Sequence, residues 1–488
     1  MELRPYQEKD VDALRKLFLR YRSVLHVLST GGGKTAEFSY IAMQAEKKGK
    51  VVVIVVHRQE LILQTSLSLA SLGVVHNIIA SAKVRTQCIT LHANNGICGI
   101  LNNQSKIYIA SVALLHKMES LLKSVDLLVI DEAHHAVAGM WMKCISQAKK
   151  ARILGVTATP ERLDGKGLGD VFQVMHEGIP MMDLIKMGYL SQPKIYVPDE
   201  ISMDGVHVKF GDYVRKEIES KFNKRIVIGS AVDQYKELCS GLPAIAYCCT
   251  VKHAEDVAKQ FTEAGFISFS LDGSTDPIVR ANMIRALGRG EINVLTSCDV
   301  ISEGTDIPMV AVGILLRPTK SLTTYLQQCG RVFRSYPGKE FAYILDHAGN
   351  FYRHGYPQQP REWSLKYGAK ARKKQEEKPI SIVRCPQCFH VHEPQKNCPS
   401  CGHEYFELKK NTSPNVMEGE LKEMTYSPEW AKGGDVINAP LRDVLKVAET
   451  LEQLEEVARV RGYKSGWVKH VYRAKTRRRK EFINGNEA

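Results

Sequence analysis

The stretch LLVIDEAHHAV, from Leu127 to Val137, sets the interpretation of the whole chain. Its apolar residues run directly into two adjacent carboxylates, Asp131 and Glu132, and two histidines follow almost at once. An apolar run of this length is typical of a buried strand in a parallel sheet, and ligands of such sheets bind beyond the carboxyl ends of the strands. We therefore expect the two carboxylates to lie at a functional site. A solvated acidic strand end is the alternative.

The flanking sequence alternates between strand-like and helix-like segments. The strand-like VVVIVV, KIYIAS and ARILGVTATP surround the opening stretch, and the helix-like ELILQTSLSLASLG lies between the first two. The pattern restarts after about residue 225 with PAIAYCCT, HAEDVAKQFTEAG, INVLTSCDV and AVGILLR. Such alternation indicates parallel sheets covered by helices. The predicted fold class is α/β, with two tandem parallel-sheet domains.

The length and the charge of the chain limit the classes of protein to which it can belong. The chain has 488 residues and a net charge of +14, and 44% of its residues are hydrophobic. The length predicts about three domains. The positive charge favours a polyanionic partner such as nucleic acid, although solubility alone would account for a moderate excess. The N-terminus lacks the apolar core of a signal peptide and VVVIVV is too short to cross a bilayer, so we expect a cytoplasmic protein without a membrane partner.

A glycine-rich segment, STGGGKT from Ser29 to Thr35, lies between the apolar SVLHVL and a helix-like segment. Glycines there let backbone N–H groups face phosphate oxygens, and a helix N-terminus adds positive potential. Lys34 can reach the outer phosphates and Thr35 can bind Mg²⁺. Leu28 stands where the usual pattern G-x-x-x-x-G-K-[ST] has its first glycine, so a plain glycine-rich turn is the alternative for this segment alone.

Together the two segments predict a site for nucleotide hydrolysis. If the loop lies beside the strand, Asp131 holds Mg²⁺ and Glu132 orients and deprotonates the water that attacks the terminal phosphate. His134 is expected to link this site to the next domain, because the histidine trio of a zinc site is absent.

The order of these and further motifs resembles the superfamily 2 helicases and translocases, in particular a DEAH-bearing branch with XPB-like and phage-encoded members. The resemblance extends from about residue 3 to residue 350. It implies two RecA-like domains, ATP and Mg²⁺ as cofactors, and nucleic acid as the partner. The motifs are LRPYQ at 3–7, STGGGKT at 29–35, HRQEL at 57–61, IASV at 109–112, DEAH at 131–134, TATP at 157–160, AYCCTVKHAE at 246–255, SCDVISEGTDIP at 297–308 and QQCGRVFR at 327–334.

The resemblance implies a role for particular residues in each motif. Those expected to bind ATP are Gln7 as the reader of adenine, Thr30, Gly31, Gly32, Gly33, Lys34, Thr35, Gly304 and Asp306. Those expected to couple hydrolysis to movement are His134, Thr157, Thr159 and Gln327. Those expected to contact the nucleic-acid backbone are Arg58, Ser111, Thr250 and Thr296.

The most specific match is QQCGRVFR. A site built on the phosphate loop of one domain needs cations from the other domain when the cleft closes, and Arg331 and Arg334 are expected to supply them. Arg334 is the expected arginine finger. Considered alone, two arginines near a helix end would be ordinary surface charge.

Four cysteines in CPQCFHVHEPQKNCPSC form two C-x-x-C pairs, Cys385 with Cys388 and Cys398 with Cys401. Such pairs offer four thiolates to one Zn²⁺, and a short segment gains folding energy from the metal. A closed four-sulfur shell indicates a structural ion, and disulfides are the alternative. The sequence leaves open whether this zinc ribbon binds nucleic acid or only stabilises its own fold.

The segment from Arg459 to Lys480 holds ten lysines or arginines and no acid, interleaved with three aromatic residues. Basic side chains neutralise phosphates and aromatic rings stack on unpaired bases, so this tail is a predicted nucleic-acid contact. A solvated basic helix or a disordered tail is the alternative. The candidate contacts are Arg461, Lys464, Trp467 and Arg473.

The predicted regions are a first RecA-like domain at 1–175, a connecting segment at 176–225, a second RecA-like domain at 226–355, a charged linker at 356–380, the zinc ribbon at 381–406 and a basic helical region at 407–488. The predicted function is that of an ATP-dependent DNA helicase or translocase of a bacterial or phage-infected cell, with 3′ to 5′ polarity implied by the resemblance. The alternatives are an RNA helicase, the translocating subunit of a restriction or defence complex, and a non-catalytic nucleic-acid-binding scaffold.

Overall fold

A computed structural model describes residues 2–161, 167–197, 207–209, 212–215, 217, 225–298, 307–366, 383–385, 387–388, 390–392, 395–404, 441–448, 450–461, 463 and 466–472. The chain forms two compact units, residues 1–406 and residues 407–488. Among the described helices, none is both long and apolar enough to cross a membrane.

A seven-stranded parallel sheet organises the first part of the larger unit. Its strands are β1 (Ser23–Val27), β2 (Val52–Val56), β3 (Asn77–Ile79), β4 (Ile107–Ser111), β5 (Leu127–Asp131), β6 (Arg152–Thr157) and β7 (Val174–Glu177). They lie across the sheet in the order β3-β4-β2-β5-β6-β1-β7. Since all are parallel, the segments that follow β1, β5 and β6 meet at one edge of the sheet.

Helices cover both faces of this sheet. They are α1 (Pro5–Phe18), α2 (Lys34–Glu46), α3 (Gln59–Ser71), α4 (Ala82–Asn94), α5 (Val112–Leu115), α6 (Glu119–Ser124) and α7 (Gly139–Gln147), with a 3-10 helix at Ala133–His135. Alternate residues of β2 belong to different core clusters: Val53 and Val55 pack in one, and Val52, Ile54 and Val56 pack in the other. This arrangement explains why β2 is an unbroken run of β-branched residues, since both of its faces are buried.

A second, eight-stranded sheet follows, in the order β12-β13-β11-β14-β15-β8-β17-β16. Its strands are β8 (Gln192–Tyr196), β11 (Ala244–Tyr247), β12 (Ser268–Leu271), β13 (Val294–Ser297), β14 (Val312–Leu315), β15 (Phe341–Asp346), β16 (Val383–Arg384) and β17 (His390–His392), and the hairpin β9 (Val208–Lys209) with β10 (Asp212–Tyr213) stands apart from it. Helix α8 (Met181–Lys186) precedes β8. The other helices of this part of the chain are α9 (Arg225–Cys239), α10 (Val251–Glu263), α11 (Pro277–Gly288), α12 (Leu322–Val332) and α13 (Asn350–His354). The predicted fold class, two α/β sheets of parallel strands in tandem, is confirmed.

The second sheet includes strands from outside the region of the chain that was predicted to form it. β8 comes from the segment expected to be a connection, and it pairs in parallel with β15. β17 comes from the cysteine-containing segment and pairs antiparallel with β8. The cysteine segment is therefore an edge extension of the second sheet. The domain boundaries proposed from the sequence stay a prediction.

The smaller unit contains α14 (Leu441–Val447), α15 (Leu451–Val460) and a helical stretch at 466–472. Among the described residues of this unit, six form a buried apolar core, and Tyr463 and Trp467 pack against it. Thr450 caps the N-terminus of α15, and its side chain accepts a hydrogen bond from the Gln453 backbone in a capping box.

Candidate functional site

The glycine-rich loop joins β1 to α2, as predicted. Gly31 and Gly33 adopt left-handed backbone conformations with φ of 84° and 88°. A Cβ atom on Gly33 would collide with the side-chain amide of Gln7, and the positive φ would strain any other residue at this position. The loop therefore turns tightly into the N-terminus of α2, which begins at Lys34.

Helix α1 holds this loop through side-chain hydrogen bonds. The Tyr6 hydroxyl donates a hydrogen bond to the Gly32 carbonyl at 2.8 Å. Gln7 Nε2 donates to the same carbonyl at 3.3 Å, and Gln7 Oε1 accepts from the Arg4 backbone at 2.9 Å. The predicted adenine reader is thus tied directly to the phosphate loop.

The acidic pair lies at the carboxyl end of β5. Asp131 is 5% exposed, and its Oδ1 accepts a hydrogen bond from the Glu132 backbone at 2.9 Å. Glu132 has φ of 49° and ψ of 55°, and it is the one non-glycine residue with positive φ in the part of the chain that the structure describes. A left-handed conformation costs a non-glycine residue on the order of 1–3 kcal/mol, and such strain concentrates at functional sites.

Lys34, the first residue of α2, is half-buried. Its Nζ donates a hydrogen bond to the Leu28 carbonyl at 3.1 Å. Burial lowers the pKa of the Lys34 ammonium, while the charges of Glu132 and Asp131 oppose that shift and the charge of Arg334 adds to it. The four charged groups are therefore close enough to act on one another across the first and second sheets.

The second sheet approaches the loop through α12 and the residues after it. A Cβ atom on Gly330 would collide with the Thr30 side chain, so the two segments are in direct contact. Arg331 is 9% exposed. Arg334 Cγ lies 3.9 Å from the position of a Cβ on Gly31. The structure thus places Gly330 and Arg334 of QQCGRVFR beside the phosphate loop, about 300 residues away in sequence.

A chain of polar contacts leads from the acidic pair to α12. His134 Nδ1 lies 3.4 Å from Glu132 Oε2 and 3.3 Å from the Thr157 hydroxyl. Thr157 Oγ1 donates to the Thr159 carbonyl at 2.9 Å. Thr159 Oγ1 donates to Thr323 Oγ1 at 2.8 Å, and Thr323 lies in the first turn of α12. Gln327, also predicted to couple, lies on the same helix and is buried.

Two residues at this site were given no role in the interpretation of the sequence. Thr323 meets Thr159 across 164 positions, and no local signal indicates that contact. His135 packs its ring against His134 at 4.2 Å and against His57 of the HRQEL motif at 4.7 Å. The doubled histidine in DEAHH was the available signal for His135.

The predicted nucleic-acid contacts have different surroundings. Arg58 and Ser111 are partly exposed at the carboxyl ends of β2 and β4. Thr250 caps α10 by accepting a hydrogen bond from the His253 backbone at 3.1 Å. Thr296 is fully buried, and its hydroxyl donates to the Ala254 carbonyl at 2.7 Å. Thr296 therefore joins β13 to α10 in this structure instead of facing a ligand.

Four further predicted site residues lie outside the described residues: Gly304, Asp306, Lys464 and Arg473. Arg461 ends α15. The rings of Tyr463 and Trp467 lie 4.6 Å apart and pack against the core of the smaller unit. Part of the aromatic surface expected to stack on bases is therefore used for folding.

The four cysteines of the ribbon converge. Sγ atoms lie 3.6 Å apart both for Cys385 with Cys401 and for Cys388 with Cys398, and all four lie within 4.8 Å of one another. A tetrahedral Zn²⁺ with bonds of about 2.3 Å spaces its sulfurs by roughly 3.8 Å. The cluster fits that ion, and no disulfide joins these cysteines.

Family models match both α/β parts of the chain. The model described as "Type III restriction enzyme, res subunit" matches residues 1–162. The model described as "Helicase conserved C-terminal domain" matches residues 230–336. The two matches cover the phosphate loop with the acidic pair and the QQCGRVFR motif, respectively.

Relatives share this organisation over most of the chain. A "51.5 kDa protein" of a Lactococcus phage (isolate 7-9) is 31% identical over 393 residues, which are 80% of each chain. The "Putative ATP-dependent helicase IRC3" of Saccharomyces cerevisiae is 30% identical over 71% of this chain, and the match spans about half (51%) of the yeast protein. Among solved structures, the fragment of a "putative HsdR subunit of a type I restriction enzyme" from Vibrio vulnificus superposes with a TM-score of 0.55 at 17% identity, over 72% of this chain and 67% of that one. At that identity, the superposition shows a common fold alone.

Proposed function

The chain belongs to the ATP-dependent helicases of superfamily 2, and from this premise we propose that it is a DNA helicase or translocase driven by ATP hydrolysis between its two RecA-like domains. The observation that carries the proposal is that Lys34, the acidic pair and Arg334 lie close enough for their charges to act on one another, with Arg334 beside the phosphate loop. Charges of both signs from two separate sheets are what the transfer of a phosphoryl group to water requires.

Different residues of the chain would carry out different parts of the hydrolysis. Lys34 neutralises the outer phosphates, and Thr35 with Asp131 would hold Mg²⁺, because hydroxyl and carboxylate oxygens are donors that this ion prefers. The ion would neutralise charge on the bound triphosphate. Glu132 orients the attacking water and accepts its proton, and Arg334 stabilises the charge that develops on the phosphoryl oxygens.

Movement follows from the contacts between the sheets. ATP bound by both RecA-like domains favours the closed arrangement, and hydrolysis removes that preference. The contacts from Glu132 through His134, Thr157 and Thr159 to Thr323 would report the state of the nucleotide to α12. If each state holds the strand at a different register, repeated cycles displace the protein along it.

DNA as the track and 3′ to 5′ polarity rest on the DEAH-branch resemblance, with support for a nucleic-acid partner from the net charge of +14. The decisive experiment measures ATP turnover with no nucleic acid, single-stranded DNA, duplex DNA and single-stranded RNA. We expect stimulation by DNA above that by RNA. Preferential stimulation by RNA would assign the RNA-helicase alternative, and absent turnover under all four conditions would assign the non-catalytic scaffold.

A second candidate function is the translocating subunit of a restriction or defence complex. The match of residues 1–162 to a restriction-subunit model favours it. Purification of the chain from its native host, followed by identification of co-purifying proteins, tests it. A stoichiometric nuclease or methylase would support this candidate, and a chain that purifies alone would favour an independent motor.

We also propose that the cysteine cluster holds a structural Zn²⁺. The sulfur spacing supports this, and so does the short chain segment, which has little core of its own. Zinc measured by elemental analysis should be lost when Cys385 and Cys398 are both replaced by Ser. A preparation of the unaltered chain without zinc at this cluster would contradict the assignment.

A further inference from the structure

Three ionisable side chains from three elements meet in the interior beside the phosphate loop. Asp10 of α1, His26 of β1 and Glu37 of α2 are 7%, 0% and 1% exposed. In each side chain, an atom able to bind a metal ion lies within 4.8 Å of such atoms in the other two. His26 Nε2 lies 2.7 Å from Glu37 Oε2. None of the three takes part in the nucleotide chemistry proposed above.

A fourth residue supports this cluster from β7. His176 Nε2 lies 2.9 Å from Asp10 Oδ1, and the His176 ring stacks on the His26 ring at 5.3 Å. An imidazole bonded to a carboxylate in this way fixes the orientation of a metal-binding group.

The cluster is incompletely satisfied as it stands. Asp10 Oδ2, His26 Nδ1 and Glu37 Oε1 are buried and have no hydrogen-bond partner in the part of the chain that the structure describes. Two carboxylates buried together repel one another, and the hydration that each loses on burial has to be offset by nearby positive charge. The imidazoles of His26 and His176 are the partners that the two acids have.

Gly178 lies directly against the cluster. A Cβ atom on Gly178 would lie 2.8 Å from Asp10 Oδ2, 2.9 Å from Leu28 Cδ1 and 3.1 Å from His26 Cε1. The carboxylate and the imidazole can therefore occupy these positions only because residue 178 has no side chain.

We propose that Asp10, His26 and Glu37 form a binding site for a divalent transition-metal ion, with Zn²⁺ as the expected occupant. One imidazole nitrogen and two carboxylate oxygens are a donor set that Zn²⁺ accepts at distances of about 2.0–2.2 Å. Ligand atoms around such an ion lie roughly 3 Å or more apart, so the His26–Glu37 contact widens slightly on binding. The proton shared in that contact leaves for solvent when the ion enters.

The ion would connect α1, β1 and α2. Glu37 lies one turn after Lys34 on the same helix, so an ion held by Glu37 stabilises the helix whose N-terminus faces the phosphates. Binding to the folded chain alone raises its stability by mass action. The proposal does not depend on the substrate or the polarity of the motor.

The test is a titration of the full chain with Zn²⁺, and separately with Mn²⁺, in the absence of nucleotide. The Cys385→Ser/Cys398→Ser chain serves as the background, so that the ribbon contributes no ion. We expect one Zn²⁺ per chain, release of about one proton and a higher midpoint of thermal unfolding. Added to that background, Glu37→Gln or Asp10→Asn should abolish all three effects.

Matched controls lie on the same helices. Glu46→Gln on α2 and Asp12→Asn on the exposed side of α1 should leave the titration unchanged. Equal binding by Asp10→Asn and Asp12→Asn would overturn the proposal. If the cysteine variant does not fold, the zinc content of the unaltered chain is compared with that of Glu37→Gln. A difference of one ion supports the site, and no difference leaves the cluster as a network that shares protons only.

Discussion

Glu132 has a left-handed backbone whose N–H donates a hydrogen bond to Asp131, and its side-chain Oε2 lies 3.4 Å from His134 Nδ1. Replacement by Gln keeps the shape of the side chain and removes its basicity. We expect Glu132→Gln to bind ATP normally and to lose turnover by roughly 10²- to 10⁴-fold, the usual contribution of a general base. Steady-state turnover and nucleotide affinity should be measured together. Glu119→Gln, at an exposed ion pair with Lys123, is the matched control, and unchanged turnover in Glu132→Gln would remove the proposed role.

Arg334 lies beside the phosphate loop although it belongs to the second sheet's part of the chain. If it stabilises the transition state, Arg334→Ala should lower kcat by about 10³-fold or more, with a much smaller effect on nucleotide affinity. Arg289→Ala provides the comparison, because Arg289 is exposed and paired with Glu291. Equal kcat in the two variants would show that Arg334 is not the finger.

At the scale of elements, the contact between Thr159 and Thr323 is a point at which the TATP segment meets α12. A buried hydrogen bond contributes roughly 0.5–1.5 kcal/mol, which corresponds to a factor of about 2 to 10 in an equilibrium constant. We expect Thr323→Val to keep the basal ATP turnover and to lose up to about tenfold of its stimulation by nucleic acid. Thr324→Val, one position along α12, should behave as the unaltered chain. Full stimulation of Thr323→Val would exclude this contact from the coupling.

The same elements show what the sequence could predict. Local patterns were sufficient for β1, β2 and β5, because their apolar runs and the polar residues after them are contiguous. They were insufficient for β8, which pairs with β15 about 150 positions away, and for β17, which extends the same sheet. Thr296 is a similar case, since its burial depends on α10 packing over β13. Strand partners and burial follow from tertiary packing, which no short window of sequence contains.

At the scale of the whole molecule, buried neutral histidines predict how stability depends on pH. Burial lowers the pKa of His76, His347 and His354 from about 6.5 to about 4 in each case. Between these values each of these histidines binds more protons in the unfolded chain than in the folded chain, so its contribution to stability is complete above pH 6.5 and falls as the pH falls toward 4. At pH 5 the loss is on the order of 2 kcal/mol for each histidine.

This pH dependence can be measured with one variant and one control. Thermal unfolding of the unaltered chain and of His76→Gln should be followed from pH 7.5 to pH 5. The variant should show a smaller loss of stability over this range, because it lacks one of the protons taken up on unfolding. His470→Gln, at an exposed position, should show the full loss. An identical pH dependence in all three chains would mean that His76 is not held neutral in the fold.

The basic tail would bind the phosphates of nucleic acid through its positive charge. Its contribution to the affinity should therefore depend on the salt concentration. Because Trp467 packs against the core of the smaller unit, deletion should begin after the described residues of that helix, at Arg473. Removal of residues 473–488 takes away six lysines or arginines. For every phosphate that these side chains neutralise, the deletion should reduce the slope of log K against log salt concentration by about 0.9 on duplex DNA. Replacement of the same six residues by Gln separates charge from length, and basal ATP turnover without nucleic acid should stay constant in both variants. A slope equal to that of the unaltered chain would show that these residues do not bind the DNA.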